Sequence, residues 1–363
     1  MNAQEIKEKT CDKYEEKNEM KVIKTEDAVG HVLCHDITQI IKGVTKDAVF
    51  KKGHVVREED IPVLLSVGKE NLYVWENDET MMHENDAAQV LYEISAGAHM
   101  HPSDVKEGKI EIVADTDGLL KIDRKLLRSI NSFGQMMIAA RHGDTPVKKG
   151  DKIAGTRIIP LVIEKEKMET VKQMAGDEKI FHLMPYVLKT AGVITTGNEV
   201  LKGRIKDTFT PVIVEKLAEY GIKTEQHAMP GDDTDTITKM ILKMANEGVD
   251  FILCTGGMSV DPDDKTPLAI KNTGADIVSY GAPVLPGAMF LLAYLKCGEK
   301  KIPVVGLPGC VMYAKRTIFD LVLPRLAAGD EIAADELYGL GEGGLCLNCP
   351  VCTYPNCGFG KGR

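Results

Sequence analysis

Short apolar runs alternate with helix-like segments through the second half of the chain. The apolar runs cover residues 192–195, 251–254 and 302–305, and most stop at glycine or small polar residues; a further strand, with polar residues, is predicted over 222–226. Uniformly apolar runs of this length are typical of strands that are buried on both faces of a parallel sheet. The alternation therefore predicts an α/β domain over about residues 186 to 326, with a parallel sheet and helices on both faces.

Helix signals between these runs agree with this reading. Thr210-Pro211 is typical of a helix start, and Ile213, Leu217 and Tyr220 then share one face before Gly221. A second helix is predicted over residues 234–247, and an apolar helix from about Met312 follows the last strand. A strand, a glycine loop and a helix meet around Gly256 and Gly257.

The first half has shorter, more polar strand patterns separated by turns. We expect a smaller β-rich α+β domain over residues 21–175, with helices near 60–67, 84–96 and 124–140. The charged stretch 164–179 is interpreted as a linker that includes a solvent-facing helix. The predicted division is therefore a polar tail (1–20), this domain, the α/β domain (176–330) and a cysteine-rich tail (331–363).

Composition narrows the class of partner. The 363 residues carry a net charge of −9, which argues against a nucleic-acid backbone as the main partner. There is no apolar stretch of membrane-spanning length, and the N-terminus does not have the pattern of a signal peptide. We expect a cytoplasmic protein that does not bind membranes.

Small and acidic residues follow the predicted strands. They are Thr196, Gly197, Glu199, Asp207, Asp232, Asp233, Gly256, Gly257 and Asp264. Glycine lets backbone N–H groups approach an anion, and carboxylates facing an anion need a cation between them, usually Mg²⁺. Each piece alone is more often an ordinary turn or helix cap. Together, at successive strand ends, they predict a site for a phosphate-bearing ligand with Mg²⁺.

The order of these motifs resembles the molybdopterin-binding domain shared by molybdopterin molybdotransferases of the MoeA type and adenylyltransferases of the MogA type. The resemblance covers roughly residues 186 to 326, and the first half is weakly similar to the accessory domain of the MoeA group. It implies binding of molybdopterin or its adenylylated form, with molybdate and Mg²⁺, in a homo-oligomer. By resemblance the catalytic residues are Asp264, Asp207 and Glu199. The cofactor-binding residues are Thr196, Gly197, Thr208, Asp232, Asp233, Gly256, Gly257, Met258, Ser259, Thr266, Pro286, Gly287, Leu307, Pro308 and Gly309.

Three departures from the family pattern bear on activity. Phe209 replaces an asparagine, Ala288-Met289 replaces Lys-Pro, and Cys310-Val311 replaces Asn-Pro. Loss of the lysine removes a charge-assisted contact worth roughly 1.5 to 3 kcal/mol. Binding survives this loss more easily than full molybdate insertion does.

Three functions stay open. The first is a MoeA-like protein that acts in molybdenum cofactor biosynthesis or handling, with a molybdoenzyme or another cofactor-synthesis protein as partner. The second is a non-catalytic cofactor sensor or adaptor that uses its cysteine tail. The third is hydrolysis of a pyridine-nucleotide derivative, because competence-damage-type proteins have a similar fold.

The tail contains four cysteines within twelve residues: Cys346, Cys349, Cys352 and Cys357. Four thiolates with this spacing could hold one Zn²⁺ or one iron–sulfur cluster. The alternative, four unligated thiols in an exposed tail, would be prone to oxidation. Spacing alone does not decide between the two metals.

Overall fold

The computed structural model describes residues 22–41, 45–73, 80–197, 201, 204, 206–259, 261 and 264–362. The predicted polar tail 1–20 lies outside these residues. Within them, no helix is both long enough and apolar enough to cross a bilayer.

In its described residues, the first half consists of short antiparallel strands and four α-helices. The strands are β1 (Val22–Lys24), β2 (Ile37–Ile41), β3 (Thr45–Phe50), β4 (Asn71–Tyr73), β5 (Met81–His83), β6 (Met100–Pro102), β7 (Lys109–Ala114), β8 (Gly118–Ile122), β9 (Met136–Ala140), β10 (Thr145–Val147), β11 (Lys152–Ile158), β12 (Val162–Glu164) and β13 (Phe181–Pro185). The helices are α1 (Ile61–Ser66), α2 (Glu84–Ser95), α3 (Arg124–Asn131) and α4 (Lys165–Ala175). This confirms a β-rich first half.

Two predictions for this half are wrong in detail. The helix expected over 124–140 ends at Asn131, because Gly134 and Gln135 have positive φ (71° and 60°) and turn the chain into β9. The helix of the predicted linker is not solvent-facing throughout. Met168 and Val171 of α4 are fully buried in the core that α2 and α3 also line.

The second half is built on one six-stranded sheet in the order β15-β14-β16-β19-β18-β17. Its strands are β14 (Thr190–Thr195), β15 (Lys223–Ala228), β16 (Phe251–Thr255), β17 (Asp276–Tyr280), β18 (Leu291–Cys297) and β19 (Lys300–Leu307). The helices are α5 (Phe209–Ala218), α6 (Thr234–Asn246), α7 (Thr266–Asn272), α8 (Ile318–Ala327) and α9 (Ala334–Tyr338).

Two apolar cores lie on opposite faces of this sheet, which confirms the expected layered α/β arrangement. Ile213 of α5 and Phe319 of α8 pack with Phe251 on one face. Ile241 of α6 and Ile270 of α7 pack with Ile252 on the other. Because neighbouring residues of a strand point to opposite faces, one apolar run supplies both cores.

The prediction of a fully parallel sheet is wrong, because the sheet is mixed. Strand β18 runs antiparallel to both β17 and β19. A tight connection at Gly298, with φ of 60°, joins β18 to β19 and imposes the antiparallel direction. β14, β15, β16 and β19 form the parallel part.

The helix that follows β19 also begins later than predicted. A short 3-10 helix covers Gly309–Met312, and α8 starts only at Ile318. Thr317 caps α8: its side-chain oxygen accepts from Phe319 N at 3.2 Å, and Asp320 Oδ2 accepts from Thr317 N at 2.8 Å. The intervening residues leave Lys315 and Arg316 beside the C-terminal tail.

Candidate functional site

Three of the predicted motifs meet at one edge of the sheet. In the strand register Thr195 of β14 pairs with Thr255 of β16, and Thr255 pairs with Leu307 of β19. The residues that follow these three strand ends are therefore neighbours. We call this edge, with the loops around Thr196, Gly256 and Pro308, the strand-end site.

The glycine loop of this site is held tightly by two threonines. Thr196 N donates to Thr255 O at 2.8 Å, and the Thr266 hydroxyl donates to Gly256 O at 2.8 Å. Gly256 and Gly257 have φ of 82° and 57°, and a Cβ on Gly256 would lie 2.6 Å from Thr196 O. The loop therefore requires glycine for conformation and for space.

A polar group that sequence reasoning missed lies beside the loop. Thr195 Oγ1 is 2.9 Å from Thr210 Oγ1 and 3.1 Å from His227 Nε2, and Thr210 Oγ1 is 3.1 Å from the same nitrogen. Asp207 Oδ2 lies 3.7 Å from His227 Nε2. His227 was overlooked because the second strand was expected to end at Gln226, although a histidine near a strand end is itself a signal.

Asp207 is held at the start of α5. Its Oδ1 accepts from Phe209 N at 2.9 Å and from Thr210 N at 3.0 Å. Burial raises the pKa of this carboxyl, but hydrogen bonds from Thr210 and Phe209, and the charge of His227, outweigh burial and lower its pKa below 3.8. The carboxylate is therefore ionised at neutral pH.

This lowered pKa predicts an acid-dependent contribution to stability. A carboxyl with a depressed folded-state pKa stabilises the fold above its unfolded pKa, and the contribution is lost as pH falls through the folded pKa. The difference in unfolding free energy between wild type and Asp207→Asn should therefore be largest at neutral pH and shrink below about pH 4. Urea unfolding at a series of pH values measures it. A difference that is constant with pH would contradict the assignment.

The other predicted carboxylates have different surroundings. Asp233 caps α6: its Oδ2 accepts from Thr236 N at 2.8 Å and from the Thr236 hydroxyl at 2.6 Å. Burial, and secondarily the negative charge of Asp264, raise the pKa of the Tyr280 phenol. Tyr280 in turn donates to Met258 O at 2.9 Å. Asp232 is half-buried beside Asp233.

Two limits apply to these carboxylates as metal ligands. Glu199 lies outside the described residues. Among the residues that the structure does describe, no group of three or more His, Cys, Asp or Glu side chains is arranged to hold one metal ion. One oxygen of Asp207 and one oxygen of Asp233 each already accept two hydrogen bonds. Of the predicted carboxylates that the structure describes, Asp264 therefore has the fewest hydrogen bonds that would compete with a metal ion.

Some of the remaining predicted cofactor-binding residues are buried and support the loops, and others are exposed. Met258 and Leu307 are buried, and the Met258 side chain covers Gly306. Gly287 packs so closely on α8 that a Cβ would lie 2.3 Å from Ile318 Cγ2. The exposed members are Gly309, Ser259 and Thr208. The Ser259 carbonyl faces the Tyr280 hydroxyl, and the Thr208 hydroxyl contacts Met312 Sδ at 2.9 Å. Gly197, Pro286 and Pro308 complete the loops around this edge.

Two protein-family models match separate parts of the chain. Residues 192–328 match the family described as "Probable molybdopterin binding domain". Residues 22–76 match a domain of unknown function, DUF8806. The first match coincides with the six-stranded sheet and its helices, so the second half contains a molybdopterin-binding-type domain. Membership of the MoeA group is not confirmed by these matches.

Curated relatives share only a segment with the chain. A Bacillus subtilis protein described as competence-damage inducible is 36% identical over 85 residues, 23% of this chain and 20% of the relative. A CinA-like protein of Mycobacterium avium is 37% identical over 76 residues, 21% of this chain and 18% of the relative. The chain thus spans about a fifth of the length of these relatives.

Solved structures similar to this domain include a CinA protein of unknown function from Thermoplasma acidophilum. It is 22% identical, with 38% of this chain and 98% of that chain covered, and a TM-score of 0.32. The tungsten cofactor synthesizing protein MoaB from Pyrococcus furiosus is 19% identical, with 39% and 89% covered and a TM-score of 0.30.

Proposed function

We propose that the protein binds molybdopterin, in its free or adenylylated form, and handles it during molybdenum cofactor biosynthesis. The observation that carries this proposal is the glycine loop at the joined strand ends, where a Cβ on Gly256 would collide with Thr196 O. A glycine backbone that is fixed in this way carries no side chain to shield its N–H groups, and it suits the phosphate of a pterin ligand. The family match over the same residues supports this ligand class.

Molybdate insertion is the finer part of the proposal. The ligand's dithiolene would face the acidic side of the strand-end site, where Asp264 has the fewest competing contacts. Mg²⁺ would be held there by Asp264 with Asp232 or Glu199, and Asp207 would stay bound to the start of α5 and beside His227. Because Ala288-Met289 replaces the Lys-Pro of the family pattern, we expect ligand binding to be retained more readily than molybdate insertion.

The setting of this activity is also proposed. A cofactor-handling protein would meet its ligand in the cytoplasm and pass it to a molybdoenzyme or to another cofactor-synthesis protein. We also propose that the chain forms a homo-oligomer, as the resemblance to the molybdopterin-binding domain implies. Light scattering of the purified chain would measure its oligomeric state directly.

The test measures binding and turnover separately. Adenylylated molybdopterin should bind the wild-type chain, and Asp264→Ala should weaken the Mg²⁺-dependent part of binding roughly 10- to 100-fold, as expected for a lost contact to a charged group. Asp276→Ala is the matched control, because Asp276 is exposed at the opposite end of the strand that ends at Tyr280. The control should bind like wild type.

Other outcomes separate the alternatives. The chain could bind adenylylated molybdopterin tightly and yet not convert it in the presence of molybdate. This result would exclude a molybdate insertase and would favour a cofactor sensor or adaptor. Failure of the wild-type chain to bind molybdopterin would overturn the proposal. Because the relatives include CinA-like proteins, a pyridine nucleotide is the second ligand to test, and its hydrolysis would favour the third function.

A further inference from the structure

The four cysteines of the C-terminal tail line one cavity. Its volume is about 270 Å³, and Cys346, Cys349, Cys352 and Cys357 all contribute to its wall. We call it the cysteine cavity. All four cysteines are free of disulfides. Thiols that are spread over twelve residues of loop and yet share one cavity indicate a ligand-binding arrangement.

The walls of the cysteine cavity are fixed by contacts that do not involve the thiols. Phe359 is 5% exposed and belongs to the core of the α/β domain. The Tyr354 hydroxyl donates to Asp320 O at 2.7 Å, and Cys346 N donates to Leu285 O at 2.8 Å. The tail is therefore attached to the domain on both sides of the central cysteines, so the cavity is formed by the protein itself.

Two cationic side chains line the same cavity. Lys315 Nζ donates to the carbonyls of Cys349 and Pro350 at 3.0 and 2.9 Å, which holds the loop between the second and third cysteines. Arg316 lies over the Tyr354 ring, with 4.9 Å from its guanidinium carbon to the ring centroid. The positive charge of Lys315 at this position stabilises a ligand that carries several thiolates, whereas the Arg316 guanidinium is already paired with Asp320 at 2.8 Å.

The arrangement fits a cluster better than a single ion. A tetrahedral Zn²⁺ with bonds of about 2.3 Å draws its four sulfurs to within roughly 4 Å of one another. An iron–sulfur cluster instead fills a volume and spreads its cysteine ligands over several irons. The cysteine cavity provides a volume of about 270 Å³ with all four cysteines in its wall.

We propose that the cysteine cavity binds an iron–sulfur cluster of the [4Fe–4S] type, with one thiolate on each iron. Each thiol loses its proton as its iron–sulfur bond forms. The two-residue spacing between the first three cysteines is that of bacterial ferredoxins. This proposal does not depend on molybdopterin binding, since it uses none of the residues of the strand-end site.

The test is anaerobic purification of the full chain, followed by reconstitution with iron and sulfide or, separately, with Zn²⁺ alone. We expect visible absorbance and about four irons with equal acid-labile sulfide per chain. Cys349→Ser and Cys352→Ser, both at exposed positions, should lose most of this iron. Cys297→Ser is the matched control: Cys297 ends β18, away from the tail, and its variant should retain the cluster.

Three results would overturn the proposal. One is stoichiometric zinc with no labile sulfide in the natively purified chain, which would establish a single-ion site. Another is no bound metal after reconstitution. The third is iron content that is the same in wild type, Cys349→Ser and Cys297→Ser, which would show adventitious iron. Circular dichroism of each variant separates loss of the cluster from loss of the fold.

Discussion

Replacing Asp320 with alanine is expected to destabilise the protein by about 3–5 kcal/mol, because two cations would lose the carboxylate that they share. Asp320 Oδ1 lies 2.6 Å from Lys216 Nζ and 2.8 Å from the Arg316 guanidinium, and the Asp320 side chain is only 2% exposed. Its other oxygen accepts from Thr317 N at the start of α8. Urea unfolding of both proteins at neutral pH measures the change.

The matched control is an ion pair at the surface. Lys301 Nζ and Glu331 Oε1 lie 2.5 Å apart with both side chains more than half exposed, so Glu331→Ala should cost less than about 1 kcal/mol. Similar losses in the two variants would show that Asp320 is solvated and does not hold α5 and α8 together. The double variant Lys216→Met/Asp320→Leu should recover part of the loss, because the unpaired buried charge is then removed.

The sequence predicted the fold best for strands that are buried on both faces of the sheet. The runs that became β14, β16 and β19 are apolar on both faces, so their place in the buried part of a sheet follows from the sequence. It was least informative where a local turn overrides a longer pattern. Gly134 ended α3 and opened β9. Strands β17 and β18 were not among the predicted strands, and β18 pairs antiparallel with both of its neighbours.

The start of α8 was mislocated for a related reason. The apolar periodicity predicted a helix from Met312. The start of α8 is instead set by the Thr317–Asp320 capping pair, whose side chains bind the first backbone N–H groups of the helix. The resulting shift leaves Lys315 and Arg316 outside the helix, against the cysteine cavity. Spacing identified the four cysteines as a group, but only the folded tail shows that these two cations lie beside them.

The strand-end site was also only partly predictable. Motif order placed Gly256, Gly257 and Thr266 together, and the register of the strands does bring them to one edge of the sheet. The roles of individual carboxylates depend on hydrogen bonds that sequence does not reveal, such as the cap that Asp233 makes on Thr236. The contact between His227 and Thr195 joins residues 32 positions apart and needs the fold to be seen.

Replacing Gly256 with alanine is expected to abolish ligand binding and to reduce stability by roughly 1–3 kcal/mol more than an ordinary glycine replacement at positive φ. The added Cβ would lie 2.6 Å from Thr196 O and 2.9 Å from Thr196 Oγ1, and the first of these atoms is backbone that cannot rotate away. Relief therefore requires the two strand ends to separate. Calorimetric titration with molybdopterin, together with urea unfolding, measures both effects.

Gly274→Ala is the control that isolates this steric effect. Gly274 has φ of 80°, close to the 82° of Gly256, but an added Cβ would meet nothing within 4 Å. Both variants therefore carry the same backbone strain of about 1 kcal/mol, and only Gly256→Ala also pushes against Thr196. If both variants bind molybdopterin as wild type does, the ligand does not use this loop. If both lose stability equally while only Gly256→Ala loses binding, the loop contacts the ligand directly without holding the strand ends together.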